Sequence, residues 1–392
     1  MAGPRRQSAG DLLYVCLLSV ALSGSLLPSL PLLAHRLGAA APEVGLLVSA
    51  PILIFLFLPG GDAWAHLPRV WRRLLPPTLL AASLLTTAWA TVPWQVLLLR
   101  AATGAACLGL TGLPLPRWPQ MQAERSAAVA FVAWAVGPLV AGLATETAGL
   151  GGAFVLAAGL AALAVVPGVL RPEADDGPAG GPPPAPSLWG ELPTQLAGLV
   201  LATFLPLYAA DSGLTPGPTG ALCTFAVLVG GAATVVARRW LAYAVTLATG
   251  GTLLAAVGTA ALAVSAHLAI FAVGSVAFGL GLGCLAAGTA GGAGGSRRVR
   301  STRPWLISLA LLPPLAGVVV LALGAEALFL LLAAGLAVAA LGLATTTTAA
   351  RGYAQPSGGA SGYELNQLSA ASWDDEPAAG ASLPEAPRSP RA

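Results

Sequence analysis

Few side chains in this sequence are equipped for chemistry, and their spacing excludes most of what such groups do. Arg100 is the clearest candidate. It stands in "LLLRAATGAAC", inside a long apolar run. A guanidinium in such surroundings costs several kcal/mol unless a cavity or a partner receives it. Arg100 is therefore a candidate for binding or coupling. The competing reading is that its long side chain snorkels to the nearer interface. His35, His66 and His267 are far apart and form no metal-ligand spacing. Cys16, Cys107, Cys223 and Cys284 each fall in an apolar run and read as small buried side chains. Ser23 and Ser25 have no base nearby in sequence. The glycines near 279–295 lack the Gly-Lys-Ser/Thr of a phosphate loop, and the chain has no lysine at all. No apolar run holds a central carboxylate. No catalytic constellation results, so neither an enzyme nor a cofactor or metal is expected.

The elements that must position Arg100 follow from composition. Of the 392 residues, 56% are hydrophobic and 9% are charged, and mean hydropathy is +0.79. A soluble domain carries about a quarter of its residues as charges. This chain is expected to be an all-α, multi-pass protein whose partner is the lipid bilayer. Twelve apolar segments suit membrane helices. They lie near 12–34, 43–60, 74–90, 92–114, 126–147, 150–170, 194–210, 218–236, 241–263, 266–290, 304–323 and 325–346. Glycine and proline inside them are compatible with helix where neighbouring spans satisfy the backbone. The first run is longer than the roughly 7–15 residues of a signal-peptide core, so a retained span is expected.

The arginines test the number of spans independently. With the N-terminus inside, seventeen of the nineteen basic residues fall in inside segments; Arg36 lies outside and Arg100 within a span. A wrong count would scatter them, so the positive-inside rule supports twelve spans with both termini cytoplasmic. The net charge of +3 is thus used for topology, and no nucleic-acid partner is expected. Glu43, Glu146, Asp211 and Glu326 fall outside.

The same reading divides the chain into a short N-terminus (1–11), a six-helix bundle (12–170), a Pro/Gly-rich cytoplasmic linker (171–192), a second six-helix bundle (193–346) and a disordered tail (347–392). The bundles repeat one another. "LPLLAHRLGAAAPEVG" from Leu30 and "LPLYAADSGLTPGPTG" from Leu205 match without gaps at Leu30/Leu205, Pro31/Pro206, Leu32/Leu207, Ala34/Ala209, Gly38/Gly213 and Gly45/Gly220. A six-plus-six repeat is a transporter architecture, with the path between the halves.

Span five holds "AWAVGPLVAGLAT". Ala133, Gly137, Ala141 and Thr145 recur every fourth residue and share a face almost without bulk, which another helix can approach closely. Pro138 removes a backbone donor and bends the helix. Plain helix packing and a conformational hinge are both open on these residues alone.

With these motifs the chain resembles the major facilitator superfamily over about residues 12–346. That family's span-five antiporter pattern is matched by Ala133, Gly137, Pro138, Ala141 and Gly142, with Ala141 in place of a glycine. Its span-four pattern is matched by Arg100 and Gly104, with Thr103 in place of glutamine. In the loop after span two Gly61 and Arg69 match, but Ala65 stands where the family has aspartate. The resemblance implies a twelve-helix major facilitator fold in two six-helix bundles and a secondary transporter that works by alternating access. Its Gly-Pro motif implies export, the sparsely polar interior of the spans points to a small amphipathic molecule, and Arg100, Ser23, Trp134 and Tyr208 are candidates along the path or for coupling. Gly137, Pro138, Ala141, Gly142, Gly104, Gly61 and Arg69 are then the conformational motifs, and a coupling proton is a candidate partner. A monomer in the cell membrane is expected. The missing loop aspartate and a "YELNQL" tail leave a second reading open, a transporter-like scaffold, receptor or assembly factor.

Overall fold

The computed structural model describes residues 9–57, 67–110, 125–169, 191–264, 267–289 and 302–354. The linker around 171–190, the tail beyond 354 and the loop carrying Gly61 and Ala65 lie outside them. Every regular element among the described residues is helical. Span one is Ala9–Leu26 followed by Ser29–Arg36, and span two is Ala41–Phe57. Spans three and four are Arg69–Thr87 and Pro93–Leu110. Spans five and six form one element, Arg125–Leu163, divided at Gly149. In the second half, spans seven to twelve are Glu191–Asp211, Pro216–Ala237, Ala244–Val264, Leu268–Gly288, Thr302–Leu323 and Ala325–Ala354. The last helix runs past Thr346, where the sequence reading ends the bundle.

Seven of these segments are long and apolar enough to cross a bilayer on length and composition alone. The others differ for visible reasons. Spans five and six are read as one segment across Gly149. Spans two and seven are slightly short. Span three begins with Arg69, Arg72 and Arg73, and span four carries Arg100.

Because the helices alternate in direction, Glu43, Glu146, Asp211 and Glu326 all come to one end of the molecule, called here the acidic end. Each half has its own apolar core. Tyr14, Leu18, Leu30, Val44, Leu80 and Phe154 are among the buried side chains of the first, and Phe204, Phe271, Phe329 and Leu336 of the second. Apolar burial drives little association in lipid, so close backbone approach and interhelical hydrogen bonds must specify the packing. The glycine positions show this. A Cβ on Gly24 would sit 2.9 Å from the Gly137 carbonyl oxygen, joining spans one and five. On Gly258 it would sit 2.5 Å from the Phe278 nitrogen, joining spans nine and ten.

The repeat is wider in the structure than in the sequence reading. The positive-φ glycines among the described residues form two pairs at one constant offset, Gly38 with Gly213 and Gly149 with Gly324. Their φ values are 84° and 82°, and 75° and 89°, a region that favours glycine. Gly38 and Gly213 end the first helix of each half with one and the same cap. Gly38 N–H donates to the His35 carbonyl and Ala39 N–H to that of Ala34. Gly213 N–H donates to Ala210 and Leu214 N–H to Ala209 in the same geometry. Gly149 and Gly324 make the sharp turns from span five to six and from span eleven to twelve.

Candidate functional site

The two halves meet along two seams, spans two with eleven and spans five with eight. The offset of the repeat maps one seam onto the other. A Cβ on Gly45 would overlap the backbone of Pro313, and one on Gly220 would overlap the Pro138 carbonyl. A Cβ on Gly142 would crowd the Pro216 carbonyl and Gly217, and one on Gly317 would overlap the carbonyl of Ala41 and crowd Pro42. Pro138 with Pro313, Gly142 with Gly317, Ala41 with Pro216 and Pro42 with Gly217 keep the offset of Gly45 with Gly220. Each seam is thus a glycine of one half against a proline-bearing helix of the other. The backbones approach closely at these positions, and beside them the Phe131 ring of span five packs on Gly231 of span eight. Near Pro138 the Leu139 N–H donates to Thr224 Oγ1 at 3.1 Å, a hydrogen bond between the halves.

The small-residue row of span five turns away from this seam. Gly137 lies against Val20, Ser23 and Gly24 of span one, and Ala141 lies near Gly24. Thr145 Oγ1 is 3.5 Å from Ser29 Oγ. All of these contacts are within the first half. Pro138 and Gly142, on the neighbouring face, reach the second half. One stretch of sequence therefore supplies two different faces: a fixed face toward span one and a seam face toward span eight.

Arg100 is 3% exposed, and its buried Nε and Nη1 have no hydrogen-bond partner among the described residues. One turn further along span four, Thr103 Oγ1 lies 3.1 Å from Ser83 Oγ of span three. Gly104 lies against Pro51 of span two, with 2.7 Å from a Cβ to the Pro51 Cα. Spans two and three therefore pack against span four, and two of the guanidinium nitrogens are left without an acceptor among the described residues. That is what a site for an acceptor-bearing group requires.

The remaining sequence candidates have local roles. Ser23 is fully buried and donates to the Ser19 carbonyl at 2.8 Å, so its hydroxyl is spent within its own helix beneath Gly137. Trp134 is half-buried on the first core. Tyr208 stacks near Phe271 and Phe329, with ring centroids 5.6 and 5.4 Å away, and its hydroxyl donates to Glu326 at 3.5 Å. It ties spans seven, ten and twelve together at the acidic end. Arg69 opens span three. Gly61 is outside the described residues. Sequence reasoning missed Pro313 and Gly317 in span eleven, although the repeat offset taken from Gly45 and Gly220 leads to them.

Fold and seams define an integral, multi-pass, all-helical membrane protein built from two six-helix bundles. No protein-family model and no curated protein sequence matches the chain. Solved structures do. A structure of the nucleoside transporter NupG carrying a point substitution aligns with a TM-score of 0.63 at 13% identity, covering 86% of this chain and 98% of that one. NupG without the substitution gives 0.61 at 13% identity over 86% and 98%. A bacterial homologue of the human lysosomal transporter Spinster, in an inward-facing and occupied conformation, gives 0.57 at 14% identity over 87% and 96%. The chain has the twelve-helix major facilitator fold of these structures.

Proposed function

We propose that this chain is a secondary active transporter that exports a small amphipathic molecule by alternating access. The observation that carries the reading is the pair of symmetry-related, glycine-against-proline seams between two bundles. Such interfaces let the halves rock about a site between them. Arg100 is the proposed polar anchor, because its buried donors have no acceptor among the described residues. An amphipathic molecule with one acceptor or anionic group would satisfy it while burying its apolar part. The arginine distribution supports cytoplasmic termini, with the acidic end facing out, and the Gly-Pro motif of span five supports export. The bundles are proposed to be 12–170 and 193–346, joined by the 171–192 linker.

The test is flux in proteoliposomes, with and without a pH gradient. The panel holds nucleosides, amphipathic amines and amphipathic carboxylates. Flux above empty vesicles for at least one member is expected, and Arg100→Ala should abolish it at unchanged membrane level. No flux for any member under either condition would contradict transport. A phenotype that survives Arg100→Ala but fails on truncation of the tail would favour the scaffold reading.

A further inference from the structure

The two seams match in their glycines and prolines but not at their acidic ends. Span two begins at Ala41, and its N-terminus is capped from within its own turn, where Ala40 N–H donates to Glu43 Oε2 at 2.8 Å. The repeat places Pro218 where Glu43 would stand, so span eight has no acid of its own in that turn. Thr215 is the N-cap residue of span eight by position, a type that ordinarily accepts from its own helix. Here it makes no side-chain cap hydrogen bond. Its hydroxyl donates instead to Glu146 Oε1, at the end of span five in the other half. The Glu146 carboxylate lies directly against Gly217, in space that any side chain at Gly217 would fill. It therefore sits at the positive end of the span-eight helix, where a carboxylate is favoured. The repeat partners of Glu146 and Thr215 on the other seam are Leu321 and Ala40, which cannot make this contact.

We infer that Glu146 is a latch, supplied by the first half to the N-terminus of span eight, that holds the acidic end closed. The contact crosses the seam. Opening the acidic end separates Glu146 from Thr215 and leaves the first turn of span eight without its acid. The contact thus stabilises one of the two access states selectively, and differential stabilisation is what shifts such an equilibrium. Such a latch biases the resting protein toward closure at the acidic end. The inference rests on the rocking of the halves, and it is independent of what is carried.

The experiment uses the full chain in nanodiscs, with spin labels at Arg36 and Asp211. Both are exposed, and they lie at the acidic end in different halves. The four half-buried cysteines are changed to alanine in all samples. Pulsed EPR reads the ratio of long to short label distances. Glu146→Ala and Thr215→Val are each expected to raise that ratio about five-fold, the worth of a partly exposed, charge-assisted hydrogen bond. The double variant should go no further than either single one. Thr215→Ser keeps the hydroxyl and should match the parent. Glu43→Gln, which affects a cap inside one half, should also match it. Gel filtration checks that each variant is folded. If the parent shows both distances and neither variant moves their ratio, the latch is overturned and rocking stands. If one short distance persists in every sample, both are overturned.

Discussion

At the scale of single residues, the same kind of side chain has opposite consequences according to where its free valence goes. Ser23 and Arg100 both lie in the first half and are both buried. Ser23 is satisfied by the carbonyl one turn back, a bond that adds little and costs little to lose. Ser23→Ala should therefore change the melting temperature in detergent by no more than about 2 °C, the equivalent of roughly 0.5 kcal/mol. The residue above it tolerates much less. A side chain at Gly137 would meet Ser23, the Gly24 nitrogen at 2.8 Å and the Val20 carbonyl at 2.8 Å. Gly137→Val should destabilise by about 2 kcal/mol or more, read as loss of folded protein on size-exclusion chromatography. Tyr208→Phe loses one long hydrogen bond and keeps both ring contacts, so it should cost under about 1 kcal/mol; Tyr208→Ala loses the rings as well and should cost clearly more in the same melting assay. Arg100 was legible in the sequence as a charge in an apolar run. That its Nε and Nη1 lack partners among the described residues was not, because which neighbouring spans offer acceptors depends on helix rotation.

At the scale of the element, span five carries the most. Its four-residue spacing of small side chains predicts close helix approach, and the structure places span one there. The seam with span eight is made by Pro138 and Gly142, one step around the helix. Periodicity identifies the bulk-free face but not its neighbour, since span one and span eight both carry glycines at suitable depth. Two symmetric substitutions separate these roles. Gly220→Leu and Gly45→Leu should each prevent close approach at a seam while leaving both cores intact. Folded yield should stay within about two-fold of the parent, and access to the acidic end, read by the Arg36–Asp211 distance, should shift to the long value. Gly137→Val acts inside one half and should lower yield without that shift.

At the scale of the whole molecule, the fold was legible because three independent features agree: hydropathy gives the spans, arginines give their alternation, and Leu30/Leu205 to Gly45/Gly220 give the repeat. The repeat runs further than that stretch. Gly149 with Gly324 and Pro138 with Pro313 continue it through spans five and eleven, where apolar composition hides isolated matches until geometry aligns them. That hidden symmetry underlies the proposed rocking of the halves on two seams that match in their glycines and prolines. The most direct measurement adds to the acidic-end pair a second pair of spin labels at the other end, Val70 in the first half and Trp240 in the second, both exposed. Pulsed EPR then follows both distances in nanodiscs across the substrate panel. Each end is expected to show a short and a long distance, and whenever the long population rises at the acidic end it should fall at the other. A single fixed distance at both ends, or two ends that lengthen together, would contradict it.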